Sequence, residues 1–148
     1  MDRREVAQAY FKKGFNCAQS VVMAFCDRTG LTEEEGARLA SSFGGGLGRM
    51  REVCGTVSGM AIVAGILFGY DDPKVPGAVQ EHYALVQRLA GEFKERNGSI
   101  VCRELLGDRS PVRSAPEERT EDYYKKRPCV ELVGDAAEIL SRYLEERG

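Results

Sequence analysis

Residues 52–69, EVCGTVSGMAIVAGILFG, are apolar on nearly every side of a helix, and Glu52 carries the only charge in the stretch. A helix without a polar face is buried by neighbouring elements or by lipid. The most apolar part, MAIVAGILFGY, covers about half of a membrane span, so burial by protein is the expectation. The stretch therefore reads as the central helix of a bundle, with Gly55, Gly59 and Gly65 letting neighbouring helices approach closely.

The remaining apolar periodicity supplies those neighbours. Asp2 can cap a helix running to about Lys13, and Gly14 ends it. Asn16 caps a second, CAQSVVMAFCDRTG, with Gly30 as its left-handed stop. Thr32 and Glu35 form a capping box for a third, which runs into the glycines at 44–48. A long amphipathic helix follows DDPKVPG, with Val79, Tyr83, Val86, Leu89 and Phe93 inward. SIVCRELLG gives a short helix. The charged residues 107–127 read as a surface excursion holding one helical turn, and Pro128 opens a last helix. No strand is indicated. The expected class is all-α: one domain over 1–148, a compact bundle of about five to seven helices around a buried central one.

The net charge of −2, from 21 basic and 23 acidic residues, provides no basic field for nucleic acid or an anionic membrane. The N-terminus MDRREVAQAYFKKG lacks the apolar core of a signal peptide, so the expectation is a cytoplasmic protein. The apolar positions of the central and long helices are generous for one small bundle, which is compatible with a homodimer.

Five cysteines stand at 17, 26, 54, 102 and 129, spaced by 9, 28, 48 and 27 residues. No C-x-x-C occurs, so neither a zinc ribbon nor a thioredoxin motif has local support. A shared site has to be assembled by the fold. Cys17 follows the capping Asn16, Cys54 falls in the opening turn of the central helix, Cys102 lies three residues past Ser99, and Cys129 follows Pro128. A helix N-terminus carries roughly +0.5 charge and unsatisfied N–H groups, which lower a thiol's pKa and favour the thiolate. Four such ends meeting in space would sum to roughly +2, opposing the negative charge of a four-thiolate centre. Cys26, inside the second helix, reads instead as a small hydrophobe.

Other candidates are weaker. GGGLG lacks the preceding strand of a nucleotide-binding loop; its glycines, Gly44, Gly45, Gly46 and Gly48, read as a sterically bare turn that lets backbone N–H groups approach whatever Cys54 holds. Arg49 and Arg51 could meet an anionic substrate or lie in solvent. His82, the only histidine, cannot form a His-rich metal site alone and is either a general base, an extra ligand or a packed side chain. Tyr123 and Tyr124 either cover the site or pack elsewhere.

Taken in order, GFNCAQS (14–20), FGGGLGRMREVCGTVSG (43–59), SIVCRELLG (99–107) and PCVELVGDAAEIL (128–140) resemble the redox-active family named for its cysteine pattern, C_GCAxxG_C_C, itself similar to the C-terminal part of split-Soret cytochromes. The resemblance runs over nearly the whole chain. It implies that the family's cysteines fall on Cys17, Cys54, Cys102 and Cys129 and, through the split-Soret relatives, that such cysteines can hold an iron–sulfur cluster; the expectation is a cluster serving electron transfer, and the sequence names no redox protein partner. Cys26 has no counterpart. VCGTVSG departs from the literal name in having valine before the cysteine and glycine after it, and no C-x-x-C-H is present for covalent haem. Two alternatives use the same four cysteines: metal-free thiol/disulfide exchange or redox sensing, and a zinc-binding or scaffold module.

Overall fold

The structure, a computed structural model, describes residues 1–107 and 118–147. Among these residues the protein is all-α. The one pairing of extended backbone there is an isolated antiparallel bridge between Val53 and Val101.

Local capping sets the first elements. The Asp2 carboxylate accepts from the Glu5 N–H and opens α1 (Arg3–Lys12). Asn16 and Gln19 form a reciprocal capping box at the start of α2 (Cys17–Met23). The expected single helix over 17–30 is two: the chain turns at Ala24 and Phe25, and α3 (Cys26–Thr29) ends on left-handed Gly30. The break drops Phe25 fully into the core and turns the Ala24 carbonyl toward Arg3, whose guanidinium donates to it at 2.7 Å. Cys26 therefore starts a helix rather than lying inside one.

Thr32 and Glu35 make the expected capping box of α4 (Glu33–Ala40), which tightens into a 3-10 turn at Ser41–Phe43. The central helix α5 (Gly55–Phe68) begins three residues later than the sequence suggests. Glu52 to Cys54 are not its first turn, because the Cys54 N–H donates to the Ile100 carbonyl at 2.7 Å and Val53 is held in the bridge. Cys54 thus occupies the N-cap position. The chain continues through α6 (Ala78–Asn97), α7 (Cys102–Leu106), α8 (Glu121–Lys126) and α9 (Cys129–Arg147).

Helix α5 packs against α2, α6 and α9, while α1 lies along α9 and α2. Met60 and Val63 of α5 meet a core completed by Phe11, Phe25, Phe93 and Leu140, all at most 1 % exposed. Each such side chain contributes about 1.5–3 kcal/mol by leaving water. Of the stripe expected on α6, Leu89 and Phe93 are buried, but Tyr83 points outward, 54 % exposed, and meets Tyr70 edge-on. A face of α5 at Gly65 and Ile66 is also exposed, so the central helix is covered mainly over its first half. Among the described residues no helix is long and apolar enough to cross a membrane. Of the segment expected to run over the surface, 108–117 lies outside the described residues. In the part that follows, Arg119 donates to the carbonyls of Phe11 and Phe15 and stacks on the Phe11 ring, and Arg127 is buried.

Candidate functional site

The starts of α2, α5, α7 and α9 converge on one cavity of about 280 Å³, and Cys17, Cys54, Cys102 and Cys129 all line it. Each thiol is placed by its local backbone. The Asn16 capping box fixes Cys17 as the first residue of α2, and the Asn16 amide also donates to the Ser41 carbonyl at 3.1 Å, tying this end to the 3-10 turn. Cys54 and Cys102 are held as a pair across the bridge, the Cys102 N–H donating to the Glu52 carbonyl at 2.6 Å. Cys129 follows Pro128, whose carbonyl accepts the Leu132 N–H in the first turn of α9.

The glycine loop forms the wall between them. Gly44, Gly45, Gly46 and Gly48 line the cavity. Gly46 has φ +70°, and a Cβ there would lie 2.7 Å from the Cys102 Cβ and 2.6 Å from the Glu52 nitrogen. Gly55 serves the opposite side, where a Cβ would fall 3.3 Å from that of Cys17 and 2.9 Å from the Phe43 carbonyl oxygen. The loop also holds three non-glycine residues, Leu47, Arg49 and Arg51, at φ between 63° and 68°. Such left-handed residues cost about 1–3 kcal/mol each and persist where surrounding contacts over-determine them. Here N–H groups of Gly48, Arg49, Arg51 and Glu52 donate back to carbonyls of residues 42–46.

Four arginines line the same cavity: Arg49 and Arg51 from the loop, Arg119 ahead of α8, and Arg127 between α8 and α9. Arg51 is 3 % exposed and reaches the Cys102 sulfur at 3.7 Å. Arg127 lies over the Tyr123 ring, 4.8 Å from its centroid, and Tyr123 lines the cavity too. Arg119 and Arg127 escaped the sequence reading because their segment looks like a solvated charge run. The only local hint was the aromatic pair at 123–124 that they flank.

The thiols do not share one electrostatic state. The helix-start argument leads one to expect four low pKa values, and only Cys129 has one. The Cys17 thiol donates to it, and Arg127, Arg119 and Arg51 add their charge, so Cys129 is lowered to about 7 against the opposing effect of burial. Cys17, as the donor in that pair, is pushed well above its ordinary value, with desolvation adding to the rise. Burial raises Cys54 to about 11, although Thr56, whose hydroxyl is 3.1 Å from the sulfur, pulls the other way. Cys102 is raised by burial, with Arg51 opposing. Desolvation of a small charged atom outweighs a partial dipole charge once the helix end is covered by protein. Tyr123 is raised to about 12, chiefly by burial and then by the nearby Cys129 and Cys17, so its phenol stays neutral.

All five cysteines are free thiols, and among the described residues no group of three or more His, Cys, Asp or Glu side chains is close enough to hold a metal ion. Cys26 lies outside the cavity, its sulfur 3.6 Å from the Thr32 carbonyl oxygen. His82 is also remote: it lines a separate depression between the end of α5 and the start of α6 and packs edge-on against Tyr70.

Among the described residues an all-α fold brings four dispersed cysteines to one cavity that four arginines also line. The chain belongs to the C_GCAxxG_C_C family, described as putative redox-active protein, whose sequence model matches residues 15–143. No curated protein and no solved structure matches the chain.

Proposed function

We propose that Cys17, Cys54, Cys102 and Cys129 form one redox centre that holds an iron–sulfur cluster for electron transfer. The observation that carries this reading is that four thiols from four separate helix starts line one cavity, which is the donor set such clusters use. When bound, a cluster takes up and releases single electrons.

The chain's own residues then set the conditions. Burial of Cys54, Cys102 and Cys129, each at most 7 % exposed, limits water at the sulfurs. Arg51, Arg119 and Arg127 lower the cost of thiolate charge, which favours the reduced, more negative state. Tyr123 covers the Cys17–Cys129 side as a neutral group. The test is anaerobic purification with iron and acid-labile sulfide analysis and visible absorption. Iron and sulfide bound in stoichiometric amounts are expected; a colourless protein with all five thiols free after reconstitution would overturn the reading.

A second reading is favoured by the pairing of Cys17 and Cys129, which line the same cavity and influence each other's ionisation, Cys129 lowered and Cys17 raised. These two thiols suit a dithiol/disulfide couple: oxidation forms their S–S bond, and the two electrons and two protons pass to a disulfide acceptor, which becomes two thiols. In metal-free protein the thiolate ultraviolet absorbance is expected to show one group with a midpoint near 7, protonating as pH falls through that value, while Cys54 ionises only near 11. A reversible Cys17–Cys129 disulfide in metal-free protein that never takes up iron would establish this reading in place of the first.

A further inference from the structure

Residues 53–70 carry no charged side chain, and α5, which they contain, is apolar on nearly every side. A helix of that kind is buried in a globular protein, yet one face of α5 meets water. Along it, at helical spacing, Ser58, Ala61 and Ile62 are partly buried and Gly65, Ile66 and Gly69 are exposed. The face continues through Tyr70, whose ring meets that of Tyr83 on α6 edge-on at 6.4 Å. Ile66, Tyr70 and Tyr83 are 41, 38 and 54 % exposed. On the inner side of the helix Gly59 is required by the fold, since a Cβ there would lie 2.9 Å from the Val21 Cβ. At Gly65, among the described residues, nothing lies within 4 Å of the Cβ position. Glycine inside a helix weakens it relative to alanine, and no contact within the described chain makes use of this one.

We propose that this face of α5, with Tyr70 and Tyr83, is the contact surface of a two-fold symmetric dimer, covered by the same face of a second copy of the chain. Area, shape and charge select that occupant. The exposed parts of Ile66, Tyr70, Val75 and Tyr83 amount to roughly 400 Å², about half of what each partner buries in a stable dimer, and Ile62, Val79 and Val86 extend the patch. The gap at Gly65 stands beside the bulge of Ile66, so two copies related by a two-fold axis can each set Ile66 over the other's Gly65, as an isologous contact requires. At the border Asp71, Asp72 and Glu81 outnumber Lys74 and Arg147, so the patch lacks the basic excess that an anionic lipid surface selects. The surface lies at the end of α5 away from Cys54, and the proposal is independent of what the cysteines hold.

The test is sedimentation velocity of the full chain under reductant, which removes intermolecular disulfides, from low micromolar to several hundred micromolar. A monomer–dimer equilibrium is expected. Ile66→Glu and Gly65→Leu should each weaken the dimer by about a hundredfold or more, with helical circular dichroism unchanged. Leu39→Glu, at an exposed site on α4, should leave it as it is. Gly65→Leu separates a fitted contact from a sticky surface: the leucine has open space in the monomer and adds apolar area, so non-specific association would tighten where a close-packed dimer is blocked. Ile66→Glu keeps the test usable if Gly65→Leu does not fold. A chain that stays monomeric throughout, a dimer unchanged in the folded variants or lost equally in Leu39→Glu, or tighter association of Gly65→Leu overturns the proposal.

Discussion

Cys54→Ser protein purified anaerobically is expected to carry less than about a tenth of the iron of the unmodified chain, since even outer-shell changes cost 10–100-fold in metal affinity. The same variant keeps the Cys17–Cys129 pair, which lies at the starts of α2 and α9 and does not use Cys54. Its metal-free form should therefore still form that disulfide on mild oxidation. Cys17→Ser should lose both properties, because it removes one of the four cavity thiols and the donor that stabilises the Cys129 thiolate. Iron analysis and disulfide mapping by mass spectrometry on the two variants separate the readings. Full iron content in both variants would mean that the cysteines hold no cluster, whereas loss of the disulfide in Cys54→Ser would mean that the dithiol couple involves Cys54. A serine side chain is close in size to the cysteine it replaces, so folding is expected to persist.

Gly46→Ala is expected to destabilise the protein by about 2–4 kcal/mol. About 1 kcal/mol comes from left-handed backbone and about 1–3 from overpacking. The new methyl would press on the Glu52 backbone nitrogen and the Cys102 Cβ, neither of which is the free end of a flexible side chain. Gly48→Ala is the internal control. It too has positive φ, at 52°, but nothing lies within 4 Å of its Cβ position, so only the backbone cost of about 1 kcal/mol applies. Denaturant unfolding of the two variants measures the difference. Equal losses would show that close approach at Gly46 is not what the loop's glycine content serves.

The glycine comparison shows what could be read from the sequence. Four glycines in five positions announced a bare turn, and capping residues at Asp2, Asn16 and Thr32 placed three helix starts correctly. These signals are local: a side chain bonding the backbone two or three residues away leaves its mark in adjacent letters. The start of α5 was misplaced because Val53 and Cys54 answer to Val101 and Ile100, almost fifty residues distant. Periodicity alone places Tyr83 inward, but the buried residues of α6 are Leu89 and Phe93 in its second half, and Tyr83 is exposed. The thiol pKa values were misjudged for a related reason. A helix start can be recognised in sequence, but the desolvation that overrides it depends on what the fold lays on top. Arg119 and Arg127 were invisible for the same cause, since their segment reads as surface until Phe11 and Tyr123 are seen beneath them.

The bridge between Val53 and Val101 has a mechanical consequence. The Cys54 N–H bonds to Ile100, the Cys102 N–H to Glu52, and the Arg103 N–H to Arg51, so three successive links clamp two stretches of chain into one rigid jaw. Cys17 and Cys129 begin helices that both pack on α1, and they form the opposite jaw. Spacing within each jaw is stiff, fixed in one by backbone hydrogen bonds and in the other by helix packing. The two jaws meet directly, since α2 packs along α5 and a Cβ on Gly55 would fall 3.3 Å from that of Cys17, so one continuous set of contacts holds all four thiols in place.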